Sequence, residues 1–135
     1  MKQVFVDTAP LISLINPRDQ YHEIITLAFD ELDGTELITT DAVLTEFLNY
    51  YSERGTYFRS LALGAVKNLM LRPDITIVNQ SKYLFHLALE RFEDRQDKGY
   101  SLTDCLSMIV METHGISEVL TTDLHFRQAG FKLIP

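Results

Sequence analysis

Lys2-Gln3-Val4-Phe5-Val6-Asp7-Thr8-Ala9-Pro10 is the stretch on which the fold turns. Lys2–Val6 is a short apolar strand, and Asp7 ends it. Pro10 suits the first turn of a helix, where its missing N–H would have no partner anyway. Leu11, Ile12, Leu14 and Ile15 then carry that helix to Asn16-Pro17. A strand this apolar is central to a sheet, so its terminal carboxylate lies beside any crevice there. A buried strand feeding straight into a helix is the repeating unit of an α/β fold.

The same alternation continues down the chain. Asp19 is placed to cap a helix in which Tyr21, Ile24, Ile25, Ala28 and Leu32 keep the i, i+3, i+4, i+7 spacing of one apolar face. Glu36–Thr39 reads as a second strand, and Thr40 or Asp41 caps a helix running to about Arg54. After the Gly55-Thr56 break, Phe58–Leu71 is helical, and Ile75–Val78 is a β-branched third strand. Ser81 opens a helix that ends near Lys98-Gly99, and Ser101 opens another that Gly115 terminates. Val119–Thr122 is a fourth strand, Leu124–Gln128 a short helix and Phe131–Ile134 a fifth strand. Strands alternating with helices imply parallel pairing with helices on both faces. Right-handed crossovers bring all the strands' carboxyl ends to one edge, and ligands bind there, where the strand order reverses.

A chain of 135 residues fits one domain, 1–135, with a single core. No apolar run approaches the ~20 residues of a membrane span, and Met1–Asp7 lacks a signal-peptide pattern. Cys105, the only cysteine, excludes an internal disulfide and suits a reducing cytoplasm; its apolar helical neighbours make it a packing residue. The net charge of −7 argues against broad, sequence-blind affinity for nucleic acid, which needs a basic footprint. It leaves a nucleic-acid enzyme open, because a metal would neutralise acids gathered in a site.

Four acids stand where elements begin or end: Asp7, Glu46, Asp104 and Asp123. Each also has a plainer role. Asp7 and Asp123 follow strands, where turn-forming or capping aspartates are common. Glu46 falls at the border of a helix's apolar arc, as an ordinary boundary glutamate does. Asp104 completes the capping pattern Ser101-Leu102-Thr103-Asp104. Together, however, the four sit at equivalent edges of one sheet. Carboxylates crowded there raise one another's pKa unless a cation lies among them, and all-oxygen ligation suits Mg²⁺ or Mn²⁺ rather than Zn²⁺. Thr121 and Thr122 place hydroxyls near Asp123, able to orient a carboxylate or a water.

Phe5-Val6-Asp7-Thr8, Arg18-Asp19-Gln20-Tyr21-His22, Thr39–Glu46, Tyr100–Cys105 and Leu120–Phe131 together resemble the PIN-domain nucleases, and among them the VapC-like toxins. The resemblance spans nearly the whole chain, and the last two stretches are its most specific. It implies an α/β/α sandwich around a parallel sheet of order 3-2-1-4-5 and Mg²⁺- or Mn²⁺-dependent hydrolysis of RNA phosphodiesters. It implies Asp7, Glu46, Asp104 and Asp123 as the acidic quartet, Thr121 as the site hydroxyl and Ser101 close by. It further implies a protein antitoxin, for which the apolar helices about Val43–Tyr51 and Phe58–Leu71 offer a surface, and a homodimer. Leu124 and Ala9 depart from the family's usual basic and hydroxyl residues.

Outside the acids, His22, His86, His114 and His125 lack metal-ligand spacing. His86 and His114 read as structural, and His125 as a structural residue that also lies within reach of a phosphate. Arg91, Arg95 and Lys98 share one side of a helix, but Glu90, Glu93 and Asp94 interleave with them, so a solvated, ion-paired face is expected. Two other readings remain open. A response-regulator receiver domain also carries an acidic Mg²⁺ pocket, though it needs paired acids after the first strand, where Thr8-Ala9 stand. A housekeeping RNA-processing enzyme shares every motif with a toxin.

Overall fold

The computed structural model describes residues 2–135. Among the described residues five strands form one sheet: β1 (Gln3–Val6), β2 (Glu36–Thr40), β3 (Ile75–Val78), β4 (Glu118–Leu120) and β5 (Lys132–Ile134). Their order is β3-β2-β1-β4-β5, and every pairing is parallel. The expected three-layer α/β/α sandwich is thus the observed fold. A receiver-type sheet has the order 2-1-3-4-5, which this one does not.

The chain lays down β2 and β3 on one side of β1, then crosses to add β4 and β5 on the other. The reversal falls between β1 and β4, which pair Val6 with Leu120. One residue on, the Asp7 N–H donates to Leu120 O at 3.2 Å. The ends of β1 and β4 therefore stand side by side at the switch point where sheets of this class bind ligands. Val4, Phe5 and Val6 are buried, the continuous apolar run of a strand covered on both faces.

Among the described residues seven α-helices connect the strands: α1 (Thr8–Ile15), α2 (His22–Glu31), α3 (Asp41–Tyr51), α4 (Thr56–Leu71), α5 (Lys82–Asp94), α6 (Leu102–Thr113) and α7 (Leu124–Gln128). Residues Cys105 to Met111 of α6 are buried without a break, so this helix passes through the core rather than along its surface. Cys105 is a free, buried thiol, as its apolar neighbours imply. On the other side, Tyr51 stacks on Phe58 at 5.4 Å and donates its hydroxyl to Ile12 O at 2.8 Å, tying α1, α3 and α4 together. No helix among the described residues is long and apolar enough to cross a membrane.

Several local expectations shift. Asp19 does not cap a helix; its Oδ1 accepts from the Tyr21 N–H at 2.9 Å in a turn, and α2 starts at His22. Tyr21 and Ile24 are exposed, and only Ile25, Ala28 and Leu32 of the proposed stripe reach the core. Helix α5 ends at Asp94; a 3₁₀ turn over Gln96–Lys98 follows, closed by Gly99 at φ +71°. That left-handed angle suits glycine, and it turns the chain into Tyr100-Ser101. Strand β4 stops at Leu120, and the chain bends at Thr122.

Candidate metal centre

Asp7 occupies the N-cap position of α1 but makes no capping bond with its side chain. Its Oδ2 instead accepts a 2.8 Å hydrogen bond from Thr121 Oγ1. The same hydroxyl accepts from the Asp123 N–H at 3.1 Å. One threonine thus links the acid after β1 to the acid that follows β4. Asp123 caps α7, taking the His125 N–H on Oδ1 at 3.0 Å.

Asp104 arrives from α6 through the capping box legible in the sequence. Ser101 Oγ accepts from the Asp104 N–H at 3.0 Å, and Asp104 Oδ2 accepts from the Ser101 N–H at 3.1 Å. The capping and site readings of Asp104 are compatible, because the cap uses only Oδ2. Its Oδ1 makes no hydrogen bond among the described residues, and α6 delivers the carboxylate at a helix N-terminus, where negative charge is favoured.

His125 is the residue that sequence reasoning underrated. Its Nδ1 lies 3.1 Å from Asp104 Oδ2 and 3.4 Å from Asp123 Oδ1. A carboxylate only accepts, so Nδ1 bears the hydrogen in this arrangement. One ligand atom each from Asp104, Asp123 and His125 falls within 4.8 Å of the others. The spacing rule missed it because the histidine's companions lie 21 residues away on α6 and two residues away in a cap. The available signal was Phe126: a fully buried aromatic fixes the rotation of a five-residue helix and with it the direction of residue 125. Tyr100 holds the ring from the other side, edge-on at 5.4 Å. His114 is structural, its Nδ1 2.9 Å from Val110 O.

Glu46 stands apart. It lies on the exposed side of α3, beyond the border position read from the helical wheel, and makes no hydrogen bond or ion pair among the described residues. It is outside the Asp104, Asp123, His125 group. Its helix nevertheless starts at the right edge: Thr40 Oγ1 caps α3 through the Val43 N–H, and Thr39 Oγ1 donates to Val6 O at 2.8 Å, next to Asp7.

The electrostatics follow from burial. Desolvation pushes the Asp7 carboxyl up to about 7. The Thr8 N–H and the Thr121 hydroxyl oppose that rise, while Asp104 and Asp123 add like charge. Asp104 is raised as well, chiefly by burial and also by Asp123, against the Ser101 N–H and His125. Among the described residues no lysine or arginine pairs with Asp7, Asp104 or Asp123. Carboxylate oxygens converging without a lysine or arginine fit a hard divalent cation, and the His125 Nδ1–H orients two of them rather than serving as a ligand.

Comparison with known proteins places the chain in a family and matches its fold. The family model for the PIN domain matches residues 4–132. A VapC ribonuclease of Aquifex aeolicus is 24% identical over 131 residues, covering 96% of this chain and 93% of that protein. The crystal structure of VapC20 from Mycobacterium tuberculosis, a sarcin-ricin loop cleaving toxin, superposes with a TM-score of 0.84 at 24% identity over 98% of this chain and 99% of that one. FitAcB from Neisseria gonorrhoeae superposes at 0.73 with 13% identity, over 98% and 96% of the two chains.

Proposed function

Because the chain belongs to the PIN-domain family, we propose that it is a metal-dependent endoribonuclease, the toxin of a toxin–antitoxin pair. The observation that carries this reading is the convergence of Asp7, Asp104 and Asp123 on the β1/β4 switch point, linked through Thr121 and His125. The VapC names of the relatives support both the ribonuclease and the toxin assignment.

Asp7, Asp104 and Asp123 would hold Mg²⁺ or Mn²⁺, with Glu46 reaching in from α3 as the fourth carboxylate. Thr121 and Ser101 are supporting residues that fix Asp7, Asp123 and Asp104 in place. When bound, the cation supplies a more acidic water for in-line attack on phosphorus and neutralises charge on the phosphoryl oxygens. The protein's own contribution is positional. Thr121 turns Asp7 Oδ2 toward Asp123, the capping box leaves Asp104 Oδ1 free, and His125 keeps the Asp104 and Asp123 carboxylates adjacent. Burial of Asp7 makes its ionisation depend on a nearby positive charge.

The antitoxin is a protein that covers apolar surface on the α3/α4 side, where Tyr57, Leu63 and Met70 are exposed. A homodimer and a cytoplasmic setting complete the reading; the free thiol of Cys105 suits the latter.

Incubation with structured RNAs, with and without Mg²⁺, followed by end-mapping, tests the proposal. Discrete cuts are expected with Mg²⁺ and none in chelator. Asp7→Asn and Asp104→Asn are expected to abolish the cuts while leaving the circular dichroism spectrum intact. Cleavage at the wild-type rate in both variants would overturn it.

A further inference from the structure

The charged residues of α5 and of the turn that follows it line two adjacent hollows. One, of about 170 Å³, is lined by Arg91, Arg95, Lys98, Tyr100, Glu112 and Gln128, among others. The neighbouring one, across Arg91, receives Glu90 and Asp94. The ion-paired face expected from the sequence does not form along the helix. Arg91 instead reaches α6, where Glu112 takes it in a two-pronged pair. That pair is self-neutralising and fixes the wall of the first hollow. Arg95 has no ion-pair partner among the described residues, and Lys98 meets only the adjacent Asp97 at 3.6 Å, a weak exposed contact.

The basic hollow adjoins the metal centre. Tyr100 lines the hollow and packs edge-on against His125, which touches Asp104 and Asp123. Two side chains therefore separate Arg95 and Lys98 from the carboxylates. With a net charge of −7 the molecule as a whole repels a polyanion, so attraction must come from local concentrations of cations. With Arg91 neutralised by Glu112, Arg95 and Lys98 are the cations that this hollow leaves available beside the reactive edge.

We infer that the hollow bounded by Arg95, Lys98 and Gln128 is a backbone subsite for the RNA strand, binding a phosphate near the one held at the carboxylates. This rests on the ribonuclease reading and specifies where its substrate lies. Arg95 and Lys98 supply charge to non-bridging oxygens, the Gln128 amide supplies a neutral donor, and no base edge is read. The subsite sets affinity and register and leaves sequence choice to other contacts.

The test is equilibrium binding of a fluorescent single-stranded RNA oligonucleotide to the full chain in EDTA, across a series of NaCl concentrations. Arg95→Ala/Lys98→Ala is compared with Lys67→Ala/Lys82→Ala, which removes two exposed charges elsewhere. The first pair is expected to weaken binding roughly tenfold and to lower the slope of log K against log salt by about 1.4, as for two lost single-strand phosphate contacts. The control pair is expected to change the slope little, and Arg95→Lys to restore most of the affinity. Unchanged binding in the first pair, or an equal loss in the control, overturns the subsite while leaving the ribonuclease reading intact. Failure of the wild-type chain to bind RNA in EDTA also overturns the subsite, while the ribonuclease reading stands or falls on the cleavage assay with Mg²⁺.

Discussion

Thr121 Oγ1 donates to Asp7 Oδ2 across 114 residues of sequence and, on its acceptor side, takes the Asp123 N–H. A single hydroxyl thereby orients one carboxylate and the turn bearing another. The sheet makes this possible, because Asp7 and Thr121 each follow one member of the Val6 and Leu120 pair.

Replacing Thr121 with valine removes both bonds without changing the side chain's shape. Cleavage is expected to fall roughly 10–100-fold, the usual consequence of removing a group that orients a ligand. Asp7 would lose a bond that favours its charged form, so the acid limb of the pH–rate profile moves to higher pH. Thr121→Ser should restore both rate and profile. A valine variant with the wild-type profile would show that the hydroxyl only packs.

Asp7 burial makes a stability prediction whose sign is fixed. The folded-state pKa of about 7 lies above the ordinary value of 3.8 for an aspartate, so between those values the native protein binds more protons than the unfolded chain. In the metal-free protein, stability from this group is fully present below about pH 4, declines as pH rises, and is gone above about pH 7. At pH 8 Asp7→Asn removes a cost of at most about 4 kcal/mol at 1.36 kcal/mol per pKa unit. Thermal unfolding in EDTA should show the variant melting several degrees above wild type at pH 8, with the gap closing toward pH 4. A variant less stable than wild type at pH 8 contradicts this.

Metal binding should release a proton when Asp7 is a ligand, since a cation binds the ionised carboxylate. Near pH 6.5 calorimetric titration with Mn²⁺ in two buffers of different ionisation enthalpy is expected to report on the order of half a proton or more released per ion. The number should shrink by pH 8.5. No buffer dependence at pH 6.5 would remove Asp7 from the coordination set.

His125→Phe keeps an aromatic ring against Tyr100 but removes the nitrogen between Asp104 and Asp123. Mn²⁺ affinity, read from the free-ion resonance signal, is expected to weaken about 10–100-fold, with the fold unchanged. Equal affinities would confine His125 to packing.

Glu46 should rank last among the four acids. It is exposed, whereas Asp7 is buried and tied through Thr121 to the Asp123 turn, and Asp104 and Asp123 cluster with His125, so Glu46→Gln is expected to reduce Mn²⁺ affinity by less than Asp104→Asn does. The reverse order would mean that α3 moves inward when metal binds.

The alternation of strands and helices was legible because β1, β2 and β3 are short apolar runs bounded by polar caps and glycine, whereas the strand order came from the family resemblance alone. Thr40, Ser81 and Ser101 cap helices where expected. Asp7, Asp104 and Asp123 were legible for the same reason, since a strand end and a capping box have local signatures. His125 was not, because its meaning depends on a carboxylate 21 residues away. The side to which Arg95 and Lys98 turn was equally hidden: sequence gives the alternation of charge along α5, whereas packing on α6 decides which charges share a hollow.

The strand bearing Asp7 is made first and ends up in the middle of the sheet, where one of its two neighbours, β4, is made more than a hundred residues later. During translation β1 can find β2 at once, but its other edge stays open until Val119 and Leu120 have left the ribosome. Thr121 and Asp123 emerge only after that. A product that stops short of β4 therefore holds Asp7 and Asp104 without Thr121, Asp123 and His125, and one edge of its central strand stays unpaired.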